Sequence, residues 1–209
     1  RFLALGGEPG REGLDTLLQV YGRAFSARDD VALVLHAPCG GEAVEELRRR
    51  LEKLRGRGAP EVVLLEAPLR DEDLPGLYAA CNLLVAPFRG ASYGLSLREA
   101  MAVGRPVIAT GGGPGEDLVG ETSGFPIPPF RRHGPGSADT VGRPWILVPP
   151  PACLERLLRY AVQNPSEVRA RGEAAARLAA DRFSREAAAA AVVRRLETLA
   201  VGAAAEQEP

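Results

Sequence analysis

The chain has 209 residues, of which 45% are hydrophobic and 25% charged. That is the balance of a globular protein with one large domain or two small ones, and a net charge of -1 excludes the broad basic footprint of a non-specific nucleic-acid binder. No apolar run approaches the ~20 residues of a membrane span, and Cys39, Cys81 and Cys153 are too few for a disulfide framework and wrongly spaced for zinc.

The cysteine usage makes a reducing compartment, the cytoplasm, the expected location. A chain of this length buries roughly 70% of the surface that its unfolded form exposes, so it needs no staples. Lys53 is its only lysine, and with the many Ala, Gly and Pro this points to a GC-rich, bacterial source. The sequence starts at Arg1, without methionine or signal peptide, on residues that already read as a strand. It therefore reads as a piece of a longer protein.

In chain order, Phe2-Leu3-Ala4-Leu5 is a buried strand ending in Gly6-Gly7. Leu14, Leu17, Leu18, Tyr21 and Phe25 share one helix face. Val31 to Leu35 is a second strand. Val44, Leu47, Leu51 and Leu54 mark a second helix, with Glu45/Arg49 and Glu46/Arg50 as i,i+4 pairs on its wet side. Val62 to Leu65 is a third strand, and Asp71 to Ala80 a short helix. Leu83 to Pro87 is a fourth strand, Leu95 to Val103 a helix, and Pro106 to Ala109 a fifth strand. The strands are continuous apolar runs alternating with helices. That pattern predicts an α/β fold, a doubly wound and mostly parallel Rossmann-like sheet.

After Thr110 the alternation breaks. Residues 125–150 are rich in Pro, Gly and Arg and read as an irregular excursion, with Phe130 to Pro144 as a loop near the mouth of the cleft. Helices return over 151–200. Leu154, Leu157, Leu158 and Ala161 form one stripe, Ser166-Glu167 caps the next helix, and Ser184 starts another. Ala205 to Pro209 reads as a frayed tail. Residues 1–204 thus make one domain.

Ligands of open parallel sheets bind beyond the carboxyl ends of the strands. Four features fall there. The first is Gly6 to Gly13, whose glycines would let backbone amides approach a phosphate, although it fits neither the dinucleotide fingerprint nor the Walker pattern. The second is Gly90 to Ala102, a glycine loop running into a helix. Amides around Gly94 and Leu95 would form an anion site there, and Glu99, one turn further, would accept hydrogen bonds from a vicinal diol. The third is Gly112 to Glu116, an amide-rich loop or a plain linker. The fourth is His36, more simply structural than catalytic; His133 sits in the excursion. No nucleophile triad, acid/base carboxylate pair or metal cluster is readable.

These residues in this order resemble the C-terminal domain of the group-one, family-four retaining glycosyltransferases of GT-B architecture. The resemblance rests on Arg11-Glu12-Gly13-Leu14, Leu77-Tyr78-x-x-Cys81-Asn82, Gly94-Leu95-x-x-x-Glu99-Ala100-Met101-Ala102-x-Gly104-x-Pro106-Val107, Gly112-Gly113-x-x-Glu116 and Arg182-Phe183-Ser184. It implies one half of a GT-B enzyme, which binds a nucleoside-diphosphate sugar as substrate, with no cofactor and no metal. The donor would be held by Gly6, Gly7, Arg11, Tyr93, Gly94, Leu95 and Glu99. A missing N-terminal half would supply the acceptor site, and any peripheral membrane association would run through that half.

The departures from the family pattern are specific. Ala91 stands where a glutamate would face the donor sugar, Glu12 replaces the lysine before the glycine, and Gly7 replaces an arginine. Arg11 and Arg89 are the nearby cations able to compensate. Two readings follow: the donor half of a sugar-transferring enzyme, inactive without its other half, or a degenerate nucleotide-binding or scaffold module of the same fold. A GT-B-like epimerase or phosphorylase fits the spacing less well.

Overall fold

The computed structural model describes residues 1–6, 9–38, 40–56, 58–134 and 142–205. Its centre is a parallel sheet built from β1 (Phe2–Leu5), β2 (Ala32–His36), β3 (Glu61–Leu65), β4 (Leu83–Ala86), β5 (Val107–Thr110) and β6 (Gly124–Ile127), in the order β3-β2-β1-β4-β5-β6. The order reverses between β1 and β4, because β1 to β3 are laid down one way and β4 to β6 the other.

Helices cover both faces. They are α1 (Pro9–Glu12), α2 (Leu14–Ala24), α3 (Glu42–Arg55), α4 (Leu74–Ala80), α5 (Leu95–Ala102), α6 (Pro114–Leu118), α7 (Pro151–Gln163), α8 (Pro165–Phe183) and α9 (Arg185–Ala205). Side chains alternate across each strand, so the apolar runs divide into two cores. Phe2, Ala4, Leu33, Leu35, Leu83, Val85 and Ile108 meet α2, α3 and α7. Leu3, Leu84, Val107 and Ala109 meet α4, α5 and α8. Phe2, Tyr21 and Phe25 pack with ring centroids 5.6 to 6.3 Å apart. No described helix is long and apolar enough to cross a membrane.

The alternation does not stop at Thr110. Residues 114–118 form α6, and β6 extends the parallel sheet beside β5. The stretch expected to be an irregular excursion begins inside β6 and continues into an antiparallel pair, β7 (Phe130–His133) and β8 (Trp145–Val148). Gly124, Pro126 and the prolines at 128, 129, 144, 149 and 150 disguise this order in sequence, since neither residue type carries strand propensity. The ribbon is pinned by Leu147, whose side chain is buried and whose N–H donates to Arg89 O at 2.8 Å. Residues 135–141 lie outside the described residues.

Smaller corrections concern ends and pairs. Asn164, not Ser166, precedes α8, which opens with Pro165 at its first turn. Ser184 does start α9, its Oγ accepting from Ala187 N–H at 3.1 Å. Glu46 pairs with Arg50 as expected, but Glu45 pairs with Arg48 rather than Arg49. Cys81 and Cys153 are buried free thiols, while Cys39 and the tail beyond Ala205 lie outside the described residues.

Candidate functional site

The reversal of strand order leaves a crevice beyond the carboxyl ends of β1 and β4. A cavity of about 320 Å³ occupies it. Leu5 and Gly6 contribute from the end of β1, and Arg11 and Glu12 from α1. Ala86 comes from the end of β4, Phe88 and the run Gly90 to Gly94 from the loop after it, and Leu95, Ser96 and Leu97 from the first turn of α5. Tyr93 is 60% exposed and Leu95 59% exposed, so the mouth stands open.

Glycine shapes this corner at two places. Gly94 precedes α5 with φ 70°, and a Cβ on it would stand 2.9 Å from Pro114 Cβ and 3.1 Å from Leu118 Cδ1. The left-handed turn and the tight seat against α6 both require glycine. Gly94 O accepts the N–H of Leu97 and Arg98. The amides that precede these are the first of the helix and have no intrahelical acceptor, and the helix dipole adds positive character there. Gly13, with φ 73°, seats α2 against the loop after β4, because a Cβ on it would come 2.0 Å from Pro87 O.

The charges here differ from the expectation. Glu12 Oε2 lies 2.1 Å from where a Cβ on Gly6 would stand, so its carboxylate covers Gly6 inside the cavity. Arg11 lines the same cavity, with Nε donating to Gly90 O at 3.2 Å. Arg89 is turned away. Its guanidinium pairs with Asp15 at 2.8 Å and also donates to Thr16 Oγ1 and Gly10 O. It clamps α1 and α2 to the β4 loop and does not face the cavity, which corrects its reading as a compensating cation. The cation beside the mouth that sequence reasoning missed is Arg98. It stacks on Tyr93 at 4.0 Å and on Phe183 at 4.4 Å, tying the glycine loop to the end of α8. Its position four residues after Gly94, on the first turn of the helix, was the available signal.

Glu99 is displaced from the expected corner. It lines a neighbouring cavity of about 210 Å³ with Asp71, Leu74, Pro75, Tyr78, Ala102 and Val103, not the one at Gly94. Tyr78 is 1% exposed, and its hydroxyl donates to Glu99 Oε2 at 2.7 Å. A buried hydroxyl needs an acceptor, and this one draws the carboxylate toward α4. Burial first, then this hydrogen bond, pushes the Tyr78 phenol well above its ordinary pKa. The structure thus brings together Gly6, Arg11, Tyr93, Gly94 and Leu95 and sets Glu99 on the adjoining side of α5. Gly7 lies outside the described residues.

The remaining candidates are structural or peripheral. Residues 112–116 back the site, with Gly112 under Leu147 and Gly115 against Thr110 O, while Glu116 is exposed. His36 is buried, with Nε2 3.2 Å from Ala67 O. His133 lies on the exposed β7. Among the described residues, no three of His, Cys, Asp and Glu gather closely enough to hold a metal ion.

Comparison with known proteins gives this geometry a family. The model of the family "Glycosyl transferases group 1" matches residues 1–133. The chain is 33% identical over 113 residues to the mannosylfructose-phosphate synthase of Agrobacterium fabrum, an alignment covering 52% of this chain and 24% of that protein. It is 31% identical over 169 residues to a D-inositol 3-phosphate glycosyltransferase of Streptomyces avermitilis, covering 78% and 32%. The alignments span a third or less of these curated relatives. Among solved structures, the sucrose-phosphate synthase of Thermosynechococcus elongatus superposes with a TM-score of 0.71 at 21% identity, covering 96% of this chain and 46% of that one. The Anabaena protein HepE, in complex with UDP and glucose, gives 0.68 at 18%, covering 94% and 48%. The C-terminal domain of a glycosyl transferase group 1 family protein from Francisella tularensis gives 0.68 at 14%, covering 88% and 86%.

Proposed function

The chain belongs to the group 1 glycosyl transferases, and from that premise we propose that it is the donor-binding half of an enzyme that moves a sugar from a nucleoside-diphosphate sugar to an acceptor hydroxyl, with retention. The observation that carries this reading is the open cavity at the reversal of strand order, floored by Gly6 and the first turn of α5. The neighbour that holds UDP and glucose supports a nucleotide sugar as the ligand.

In this reading the diphosphate accepts hydrogen bonds from the amides that follow Gly94, where the helix dipole favours negative charge. Arg11 adds a cation at the rim. Glu99, oriented by the Tyr78 hydroxyl, accepts the ribose diol from the α4 side of α5. Stabilising the departing diphosphate is the main contribution of this half to the reaction. No step here needs a metal or a cofactor. A second half binds the acceptor in the cytoplasm, and the present chain transfers no sugar without it.

Glu12 favours a second reading, a degenerate nucleotide-binding or scaffold module, because its carboxylate stands where a diphosphate would approach Gly6. Calorimetric titration with nucleoside diphosphates separates the two. The donor reading expects micromolar binding that weakens about tenfold in Glu99→Ala, a loss of about 1.4 kcal/mol. No binding of any nucleoside diphosphate leaves the scaffold reading, and sugar transfer by these 209 residues alone contradicts the division of labour.

A further inference from the structure

The loop at the mouth of the donor cavity is thinly held. Among the described residues, no backbone hydrogen bond engages Ala91, Ser92 or Tyr93, and a segment without such bonds opens at little cost. Ala91 packs against the core. Tyr93 is 60% exposed, and its ring rests on the Arg98 guanidinium, 4.0 Å from Cζ to the ring centroid. A second ring, Phe183, lies 4.4 Å from the same guanidinium. Phe183 ends α8 and packs on the core that α4, α5 and α8 share. Arg98 Nε is buried without a hydrogen-bond partner, and among the described residues the contacts that fix the guanidinium are these two rings. A guanidinium binds aromatic faces through both its charge and its plane.

Neither Arg98 nor Phe183 lines the cavity, whereas Tyr93 and Gly94 do. The stack therefore reaches the cavity through Tyr93, which directly precedes the turn at Gly94. A loop already fixed in its bound shape has less order to lose when a ligand arrives. We propose that Arg98 is a positioning residue for the nucleotide. Pinned to Phe183, it holds Tyr93 and the glycine loop in place, so that affinity depends on a ring at the end of α8 that the ligand does not touch. The inference rests on the donor reading of the cavity. Its rival is direct contact, in which Arg98 leaves the rings and pairs with the diphosphate. Removing the Phe183 ring would then leave binding unchanged or tighten it, whereas it weakens binding if Arg98 acts through Tyr93.

The wild-type chain is titrated calorimetrically with UDP, GDP and ADP, and the tightest binder is carried to the variants. Arg98→Met keeps the reach of the side chain but removes its charge, and is expected to weaken binding about fivefold. Phe183→Leu is expected to weaken it about threefold or more, and Phe183→Tyr, which keeps a ring, to stay within about twofold of the wild type. The double variant with Arg98→Met and Phe183→Leu is expected to bind no more weakly than the weaker single one, because both remove one stack. Far-UV circular dichroism checks that each variant is folded. Hydrogen exchange at the amides of residues 90–95 in the unliganded chain is expected to quicken in Arg98→Met, and this readout decides the matter if Phe183→Leu does not fold. A folded Phe183→Leu that binds as tightly as the wild type, or more tightly, while Arg98→Met binds less tightly, overturns the proposal in favour of direct contact. Losses that add in the double variant overturn it too, as does loop exchange unchanged by Arg98→Met. If none of the three diphosphates binds the wild type, the donor reading fails and takes this inference with it. Wild-type binding that neither single variant alters sinks this inference alone.

Discussion

At the scale of single residues, charge placement decides how well the cavity suits its ligand. Glu12 sits over Gly6, and a carboxylate about 4 Å from a phosphate costs about 4 kcal/mol at the effective dielectric of a protein surface. Reversing that sign replaces repulsion with attraction. Glu12→Lys is therefore expected to bind nucleoside diphosphates at least about tenfold more tightly than the wild type, with Glu12→Gln between them. Calorimetry reads the order directly, and unchanged affinities would place the diphosphate elsewhere. Gly94 offers a purely steric test. Its φ of 70° and the 2.9 Å approach to Pro114 Cβ make Gly94→Ala strained. A loss of about 1–3 kcal/mol follows, lowering Tm by about 2–12 °C in a domain of this size. Gly94 and Glu99 could be named from the sequence as candidates, and Glu12 as a reversed charge beside them. What was not legible was their orientation: Glu99 turns toward α4 because a buried tyrosine from 21 positions away needs an acceptor, and Arg89 is consumed by Asp15 and Thr16 from a different helix.

At the scale of elements, periodicity and exposure separate what the fold needs from what it carries. The stripes of α2, α3 and α7 were readable because 3.6-residue spacing records a buried face, and those residues are the core. Helix α9 behaves differently. Residues 186–200 are exposed apart from the half-buried Ala187, and Val192, Leu196 and Leu199 stand out at 59%, 60% and 51%. In the described structure α9 packs chiefly on the end of α8. Ending the chain after Ser184 is therefore expected to change Tm by less than about 4 °C, since exposed segments contribute little to global stability. A scanning calorimetry drop well beyond that would show that α9 is part of the cooperative unit. The opposite surprise came from β6 to β8. Their Pro- and Gly-rich sequence hides a strand that takes its hydrogen bonds from β5 and its packing from α7 and α8, and a ribbon that, among the described residues, buries Leu147 and bonds to the β4 loop through its N–H.

At the scale of the molecule, surface ion pairs set the response to acid. Asp29 is held below its ordinary carboxylate pKa by hydrogen bonds from Ser26, Glu46 by Arg50 and Arg49, Glu66 by Arg48, and Glu167 by Tyr160 and Arg171. A lowered folded-state pKa stabilises the fold above the unfolded value and is lost as pH falls through the folded one. Unfolding midpoints are therefore expected to hold steady from neutral pH to about 5 and to decline below about 4. Because these groups are exposed, salt should shrink the decline; thermal melts across pH at two ionic strengths would read both effects, and a midpoint that falls already between pH 7 and 6 would point to other groups.

The α/β class, the five apolar strands, the glycine turn at α5 and the family resemblance are local facts, carried by residue type and spacing along the chain, and the amino-acid sequence determined them without help. Which strands became neighbours, where the order reversed to open a crevice, which arginine was spent on clamping helices and which way Glu99 turned were decided only in the folded molecule. Each of those depends on what stands opposite in space, and a buried polar group or an edge strand takes its partner from whatever distant segment packing brings within reach.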